Sequence, residues 1–173
     1  MLKGMTDKVF LIGQSLGAML CLISAPEISP AATIAISTPY NKSSLGMKII
    51  IRIISILFPL VPKWHLRKKK MADKRREADY PAYPFVATRS IIELEKTREK
   101  MIQKLAEIHT PVLLIQSHKD LTEESVAQIT SRLTNTKYES FWHEDLDHSM
   151  VLDKQRQLVF DEINQYIHKI AKK

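Results

Sequence analysis

A chain of 173 residues that is 45% hydrophobic holds enough apolar material for one buried core, which excludes extended disorder and points to a soluble α/β domain. Its one cysteine, Cys21, excludes a disulfide framework and fits a reducing compartment. No apolar segment precedes residue 9, so no secretory signal is read and a cytoplasmic location is expected, while the net charge of +7 makes its distribution along the chain the next question.

Val9 to Ile12 are apolar without interruption, as in a strand buried on both faces, and Ala18 to Ile23 keep that character with good helix formers. Between them lies Gly13-Gln14-Ser15-Leu16-Gly17. Ser15 alone among the serines has glycine at both minus two and plus two, and these are two of only four glycines in the chain. A serine on so tight a turn is strained, and side chains at 13 and 17 are expected to collide where strand and helix pass closely. Cys21 reads as a small core residue of that helix. Pro26-Glu27-Ile28-Ser29-Pro30 breaks the pattern, and Ala32 to Ser37 reads as a second buried strand ending at Thr38-Pro39. Strand, helix and strand in succession imply a parallel pair with a right-handed crossover.

Lys48 to Leu60 is strongly apolar, but Lys48, Arg52 and Ser55 fall on one helical stripe, and Pro59 and Pro62 close the run. It is too short and too charged for a bilayer span, which needs roughly 20 apolar residues. The favoured reading is a cap helix over a pocket, with Ile50, Ile54, Leu57 and Phe58 lining the substrate; a helix lying on a membrane surface is the alternative. Asn41 to Arg76 holds eleven Lys or Arg against one acid, Asp73, so the positive excess is local. The run from Lys63 through Trp64, His65 and Lys70 to Arg76 has the charge to meet phosphates. No recognised nucleic-acid motif accompanies it, so a nucleic-acid partner is not expected, whereas peripheral membrane contact through this basic cap stays open.

Tyr80 to Pro84 is a proline-stiffened linker. Ser90 with Glu93 forms a capping box at the start of a long helix whose apolar face is Ile91, Leu94, Met101, Ile102, Leu105 and Ile108. His109-Thr110-Pro111 stops it, and Val112 to Gln116 is a third buried strand, followed by Ser117-His118-Lys119-Asp120. Ser125 to Leu133 is a short helix, Tyr138 to Trp142 alternates as a fourth strand, and Glu144 to His148 is the loop beyond it. A terminal helix from about Asp153 to Ile170 turns Leu158, Val159, Ile163, Tyr166, Ile167 and Ile170 towards the core.

A serine hydroxyl is a poor nucleophile at neutral pH; it needs a base for its proton and a third group to hold that base in the correct tautomer. Ser15 follows the first strand, Asp120 the third and His148 the fourth. In a parallel α/β sheet the loops beyond the carboxyl ends of the strands gather at one edge, so these residues can converge although far apart in sequence. His143, at the end of its strand, ranks second as the base. His118 and His109 read as structural, and His65 and His168 as exposed. No cluster with metal-ligand spacing is present, so neither metal nor cofactor is expected.

Three stretches, Lys8 to Ala18, Thr110 to Asp120 and Asp147-His148-Ser149-Met150, resemble the nucleophile elbow, acid loop and histidine loop of the α/β-hydrolase superfamily. They resemble in particular its bacterial carboxylesterase and monoacylglycerol-lipase-like branch of serine hydrolases. The resemblance implies the C-terminal part of an α/β-hydrolase fold: a mostly parallel sheet with flanking helices and a helical cap insertion. Residues 1–39 would be the elbow part of the core, 40–107 the cap, and 108–173 the rest of the core. It also implies that Ser15 is the nucleophile, His148 the general base and then acid, Asp120 the orienting carboxylate, and the Leu16 N–H one oxyanion donor, flanked by the elbow residues Gly13, Gln14 and Gly17. The implied reaction is hydrolysis of esters of small or medium acyl chains, monoacylglycerol-like or short, through an acyl-enzyme. The family's earlier strands, and the His-Gly loop with its second oxyanion N–H, have no counterpart in the sequence. The loop after Asp120 is also shorter than the family's and lacks its proline. An alternative expectation is therefore a truncated or split, catalytically incomplete module whose elbow strand has an open edge and which needs a complementing segment as partner.

Overall fold

The structure, a computed structural model, describes residues 8–41, 43–62, 84–120 and 122–172. Among these, six strands and five helices follow in the order β1 (Phe10–Gln14), α1 (Leu16–Ile28), β2 (Ala32–Ile36), α2 (Leu45–Leu57), β3 (Leu60–Pro62), β4 (Phe85–Ala87), α3 (Thr88–Lys104), β5 (Val112–Ser117), α4 (Ser125–Thr130), β6 (Tyr138–His143) and α5 (Arg156–Ala171), with short 3₁₀ turns at Leu105–Glu107 and Met150–Leu152. Contacts divide the chain into two units, one made of the residues up to Asn41 and from Arg98 onward, the other of 42–97.

The first unit is built on a four-stranded sheet of order β1-β2-β5-β6, parallel throughout. The second and third strands expected from the sequence become its centre, where β2 and β5 are buried at every position. Alternation along the strands sends Ala32, Ile34, Ile36, Leu113 and Ile115 to one face, where Leu146, Met150 and the α5 residues Val159, Ile163 and Tyr166 cover them. Helix α1 packs on β1 and β2 and shares no residue with that cluster, which leaves it the other face.

β1 is not buried on both faces as its composition implies; Ile12 is 45% exposed. The reason is its place at the edge of the sheet. Ser15 donates its N–H to the Ile36 carbonyl at 2.8 Å and Val9 accepts from Ala31 N–H at 2.7 Å, so odd-numbered residues bond to β2. Phe10, Ile12 and Gln14 then direct their backbone groups to the opposite side, where among the described residues no strand pairs with them.

α1 begins earlier than its apolar run and passes through Pro26 instead of breaking there. Pro26 lies in the last turn, where its missing N–H costs a single intrahelical bond; the stop is Ser29, left-handed at φ 47° and ψ 63°, with its N–H on the Ala25 carbonyl at 2.9 Å. Cys21 is only half-buried, and burial raises its thiol pKa.

In the second unit, Ser44 caps α2 by accepting from the Met47 N–H at 3.3 Å. Ser55 is buried with its hydroxyl on the Arg52 carbonyl, whereas Ile50, Ile54, Leu57 and Phe58 are exposed. A short antiparallel pair, β3 with β4, was not legible in the sequence. The capping box at Ser90 does not form: α3 starts two residues earlier at Thr88, whose hydroxyl donates to the Phe58 carbonyl at 2.9 Å, and Ser90 donates to the Ala87 carbonyl at 2.6 Å. Glu93 instead pairs with Lys96 at 2.7 Å. Helix α4 stops at Thr130, short of the expected Leu133. The basic run 63–76, with Trp64 and His65, and most of the 80–84 linker lie outside the described residues. Among the described residues no helix is long and apolar enough to cross a membrane.

Burial, with a smaller contribution from the Glu139 charge, pushes the Tyr166 phenol up to about 12. The folded chain thus holds this proton more tightly than the unfolded chain does, and stability falls as pH rises from about 10 to about 12. Urea unfolding across that window should show a decline that Tyr166→Phe removes; an identical decline in the variant refutes the assignment.

Candidate active site

Ser15 joins β1 to α1 at φ 54° and ψ −115°. This is a conformation that an L residue holds only when its surroundings impose it. One imposition is the Ser15 N–H bond to Ile36; another is the close passage of β1 over α1. A Cβ at Gly13 would lie 2.3 Å from the Gly17 carbonyl carbon and oxygen and 2.7 Å from the Ala18 nitrogen, so only glycine fits. Gly17 departs from expectation: a Cβ there meets nothing within 4 Å, because the crowding falls on one side of the turn only. Leu16 opens α1, and its N–H is among the first-turn donors that have no intrahelical acceptor.

Asp120 is placed by the turn after β5. Its N–H reaches the Ser117 carbonyl at 3.1 Å, and its Oδ1 accepts from the Thr122 N–H at 3.1 Å, a local Asx turn. The side chain is nevertheless available to the site. Both carboxylate oxygens face His148 Nδ1, at 3.0 and 3.1 Å, and Asp120 as a whole is 5% exposed. Burial raises the Asp120 pKa, but hydrogen bonds and charge from His148, with further bonds from Thr122, outweigh it and hold the carboxyl below its ordinary 3.8. Gln116 adds its amide, 2.8 Å from Thr122 Oγ1 and 3.4 Å from Asp120 Oδ2.

His148 stands on the loop after β6. Leu146 plugs that loop into the core, and its carbonyl accepts from Ser117 Oγ. Gln14 Nε2 donates to the carbonyl of His148 itself. The ring then spans the gap, with Nδ1 on Asp120 and Nε2 2.8 Å from Ser15 Oγ. The structure thus brings Ser15, His148 and Asp120 into one hydrogen-bonded line. His143 is elsewhere, on β6 with Nε2 3.0 Å from Glu162. His118 is exposed, stacked on Trp142 and 2.7 Å from Glu123; His109 and His168 are exposed. Ile50, Ile54, Leu57 and Phe58 belong to the 42–97 unit. Among the described residues no group of three or more His, Cys, Asp or Glu is arranged to hold a metal ion.

Sequence reading missed Gln116, Ser117 and the work of the Gln14 side chain. Gln116 carried a signal, since an amide ending a run of buried aliphatics must find polar partners.

Two outcomes follow from this geometry. Gly13→Ala should lose at least about 1–3 kcal/mol through overpacking, whereas Gly17→Ala should match the parent to within about 1 kcal/mol, both by urea unfolding. Equal losses would contradict the one-sided crowding. Because the folded Asp120 pKa is lowered, its contribution to stability is present above the ordinary carboxylate value and is lost as pH falls through the lowered one. The stability gap between the parent and Asp120→Asn should accordingly be full at pH 7 and shrink below about pH 4.

No protein-family profile matches this sequence, and no curated protein matches it by sequence comparison. Solved structures do. A metagenome-derived lipolytic enzyme superposes with a TM-score of 0.78 at 21% identity, over 97% of this chain and 68% of its own. The monoacylglycerol lipase of Paleococcus ferrophilus gives 0.70 at 18% identity, over 98% and 71%. A thermophilic esterase of Thermogutta terrifontis gives 0.65 at 16% identity, over 98% and 68%. The parallel sheet β1-β2-β5-β6, its flanking helices and these superpositions establish that the chain has the α/β-hydrolase fold.

Proposed function

We propose that this protein is a serine hydrolase that cleaves carboxylic esters of small or medium acyl chains through an acyl-enzyme. The observation that carries the reading is the line from Ser15 Oγ through His148 to the buried Asp120. With Nδ1–H donated to Asp120, His148 presents the Nε2 lone pair to the Ser15 hydroxyl. As Oγ attacks the ester carbonyl carbon, its proton passes to Nε2, and Asp120 stabilises the imidazolium that forms. The carbonyl oxygen becomes an oxyanion, for which the Leu16 N–H at the start of α1 is one donor. Collapse expels the alcohol, which takes the proton from Nε2 and leaves an ester on Ser15. Water then repeats the sequence, giving up a proton to His148, and the carboxylic acid departs as Ser15 recovers its hydrogen. The exposed apolar side chains Ile50, Ile54, Leu57 and Phe58 are our candidates for holding the hydrocarbon part of the ester.

One observation favours a second reading, an incomplete hydrolase module. The nucleophile's strand β1 is an edge of the sheet, and a strand added there from a complementing segment would extend the ladder beside Ser15.

Covalent labelling by a fluorophosphonate decides between them. On the first reading Ser15 Oγ displaces fluoride from the probe in the 173-residue chain, Ser15→Ala abolishes labelling, and His148→Ala slows it by at least about 10³-fold. Labelling that survives both substitutions sinks the first reading. A chain folded by circular dichroism yet unlabelled favours the second.

A further inference from the structure

The residue before the nucleophile joins the two halves of the candidate site. Gln14 ends β1, and its side-chain amide donates to the main-chain carbonyl of His148, 134 residues away. The loop that carries His148 has no regular secondary structure of its own. On one side of the ring it is tied to β5 by Ser117 Oγ on the Leu146 carbonyl; at His148 itself it is tied to β1 by Gln14. The ring's bonds to Asp120 and Ser15 fix its tilt, but where it can reach depends on the position of its own Cα. Gln14 precedes Ser15 directly, so the same strand end sets both the nucleophile and the backbone of the base.

We propose that Gln14 is a positioning residue, whose amide sets the separation of Ser15 Oγ and His148 Nε2 by holding the His148 carbonyl. This rests on the serine-hydrolase reading. The chemistry required is a neutral donor of that length: methionine matches the reach without donating, and a carboxylate places an acceptor against an acceptor. A displacement of the order of 1 Å between nucleophile and base costs about 10²-fold in rate.

The test measures fluorophosphonate labelling rates of the full chain, Gln14→Met and Gln14→Glu from pH 5 to 8, with the far-downfield proton resonance of the His148–Asp120 hydrogen bond recorded for each. Expected are a fall of about 10–10²-fold in Gln14→Met, with that resonance broadened or lost. In Gln14→Glu the deficit relative to the parent should narrow towards pH 5, as the new carboxyl gains a proton to donate. Parent-like rates and an unchanged resonance in both variants overturn the proposal. If the parent itself is not labelled, the hydrolase reading fails separately, and the resonance alone decides: retained in Gln14→Met it refutes the clamp, lost it upholds it. Should Gln14→Met not fold, Gln14→Glu decides in its place: a deficit that narrows towards pH 5 upholds the clamp, and one that stays constant with pH refutes it.

Discussion

The hydrogen bond from the Ser15 N–H to the Ile36 carbonyl holds a residue that would otherwise relax. A non-glycine backbone at φ 54° and ψ −115° costs of the order of 1–3 kcal/mol, which must be offset by what surrounds it. The surroundings are ordinary ones: a parallel ladder to β2, a helix that starts at once, and a glycine where strand meets helix. Release any of them and the hydroxyl drops back towards the sheet. The turns that place Asp120 and His148 are less strained, because each is secured by hydrogen bonds from neighbouring side chains and N–H groups.

Most of the fold was legible because it is written locally. The apolar-rich runs around Ile34 and Leu113 become the two central strands, and the alternation from Tyr138 to Trp142 a strand with one wet face. The equally apolar run from Val9 to Ile12, by contrast, lies at the edge, a difference that depends on sheet order and not on composition. The elbow was legible because glycine is scarce in this chain. What stayed hidden depends on partners distant in the chain or on margins of a few atoms. Gln14 is an unremarkable polar residue until a carbonyl from the far end arrives beside it. Pro26 signals a break, yet a helix about to end loses little by keeping it. Ser90 and Glu93 have the right spacing for a cap, but Thr88 captures the Phe58 carbonyl first and starts the helix there. Strands of three residues, such as β3 and β4, are too short to show a period.

Polarity in α2 runs opposite to that of most surface helices. Ser55 is buried and satisfied by its own helix, while isoleucine, leucine and phenylalanine face outward. A helix arranged for stability alone would turn those side chains inward, since each buried one contributes about 1.5–3 kcal/mol. Ile50, Ile54, Leu57 and Phe58 are among these outward-facing side chains, and the proposed reading draws on them to hold the hydrocarbon part of an ester.

The separation of 133 residues between Ser15 and His148 bears on how the chain folds. β1, α1 and β2 are consecutive, and so are β5, α4 and β6, so each half can assemble from near neighbours. Joining β2 to β5 closes a loop that contains the whole 42–97 unit. The entropy of that closure grows only logarithmically, by about 0.6 kcal/mol for each doubling of length. The inserted unit is therefore free to grow or shrink with little effect on the equilibrium, while the pairing of distant parallel strands governs the folding rate. The line from Ser15 through His148 to Asp120 spans both halves and so requires that closure, and a chain in which β2 and β5 have not yet paired exposes two uncharged strands of high β-propensity.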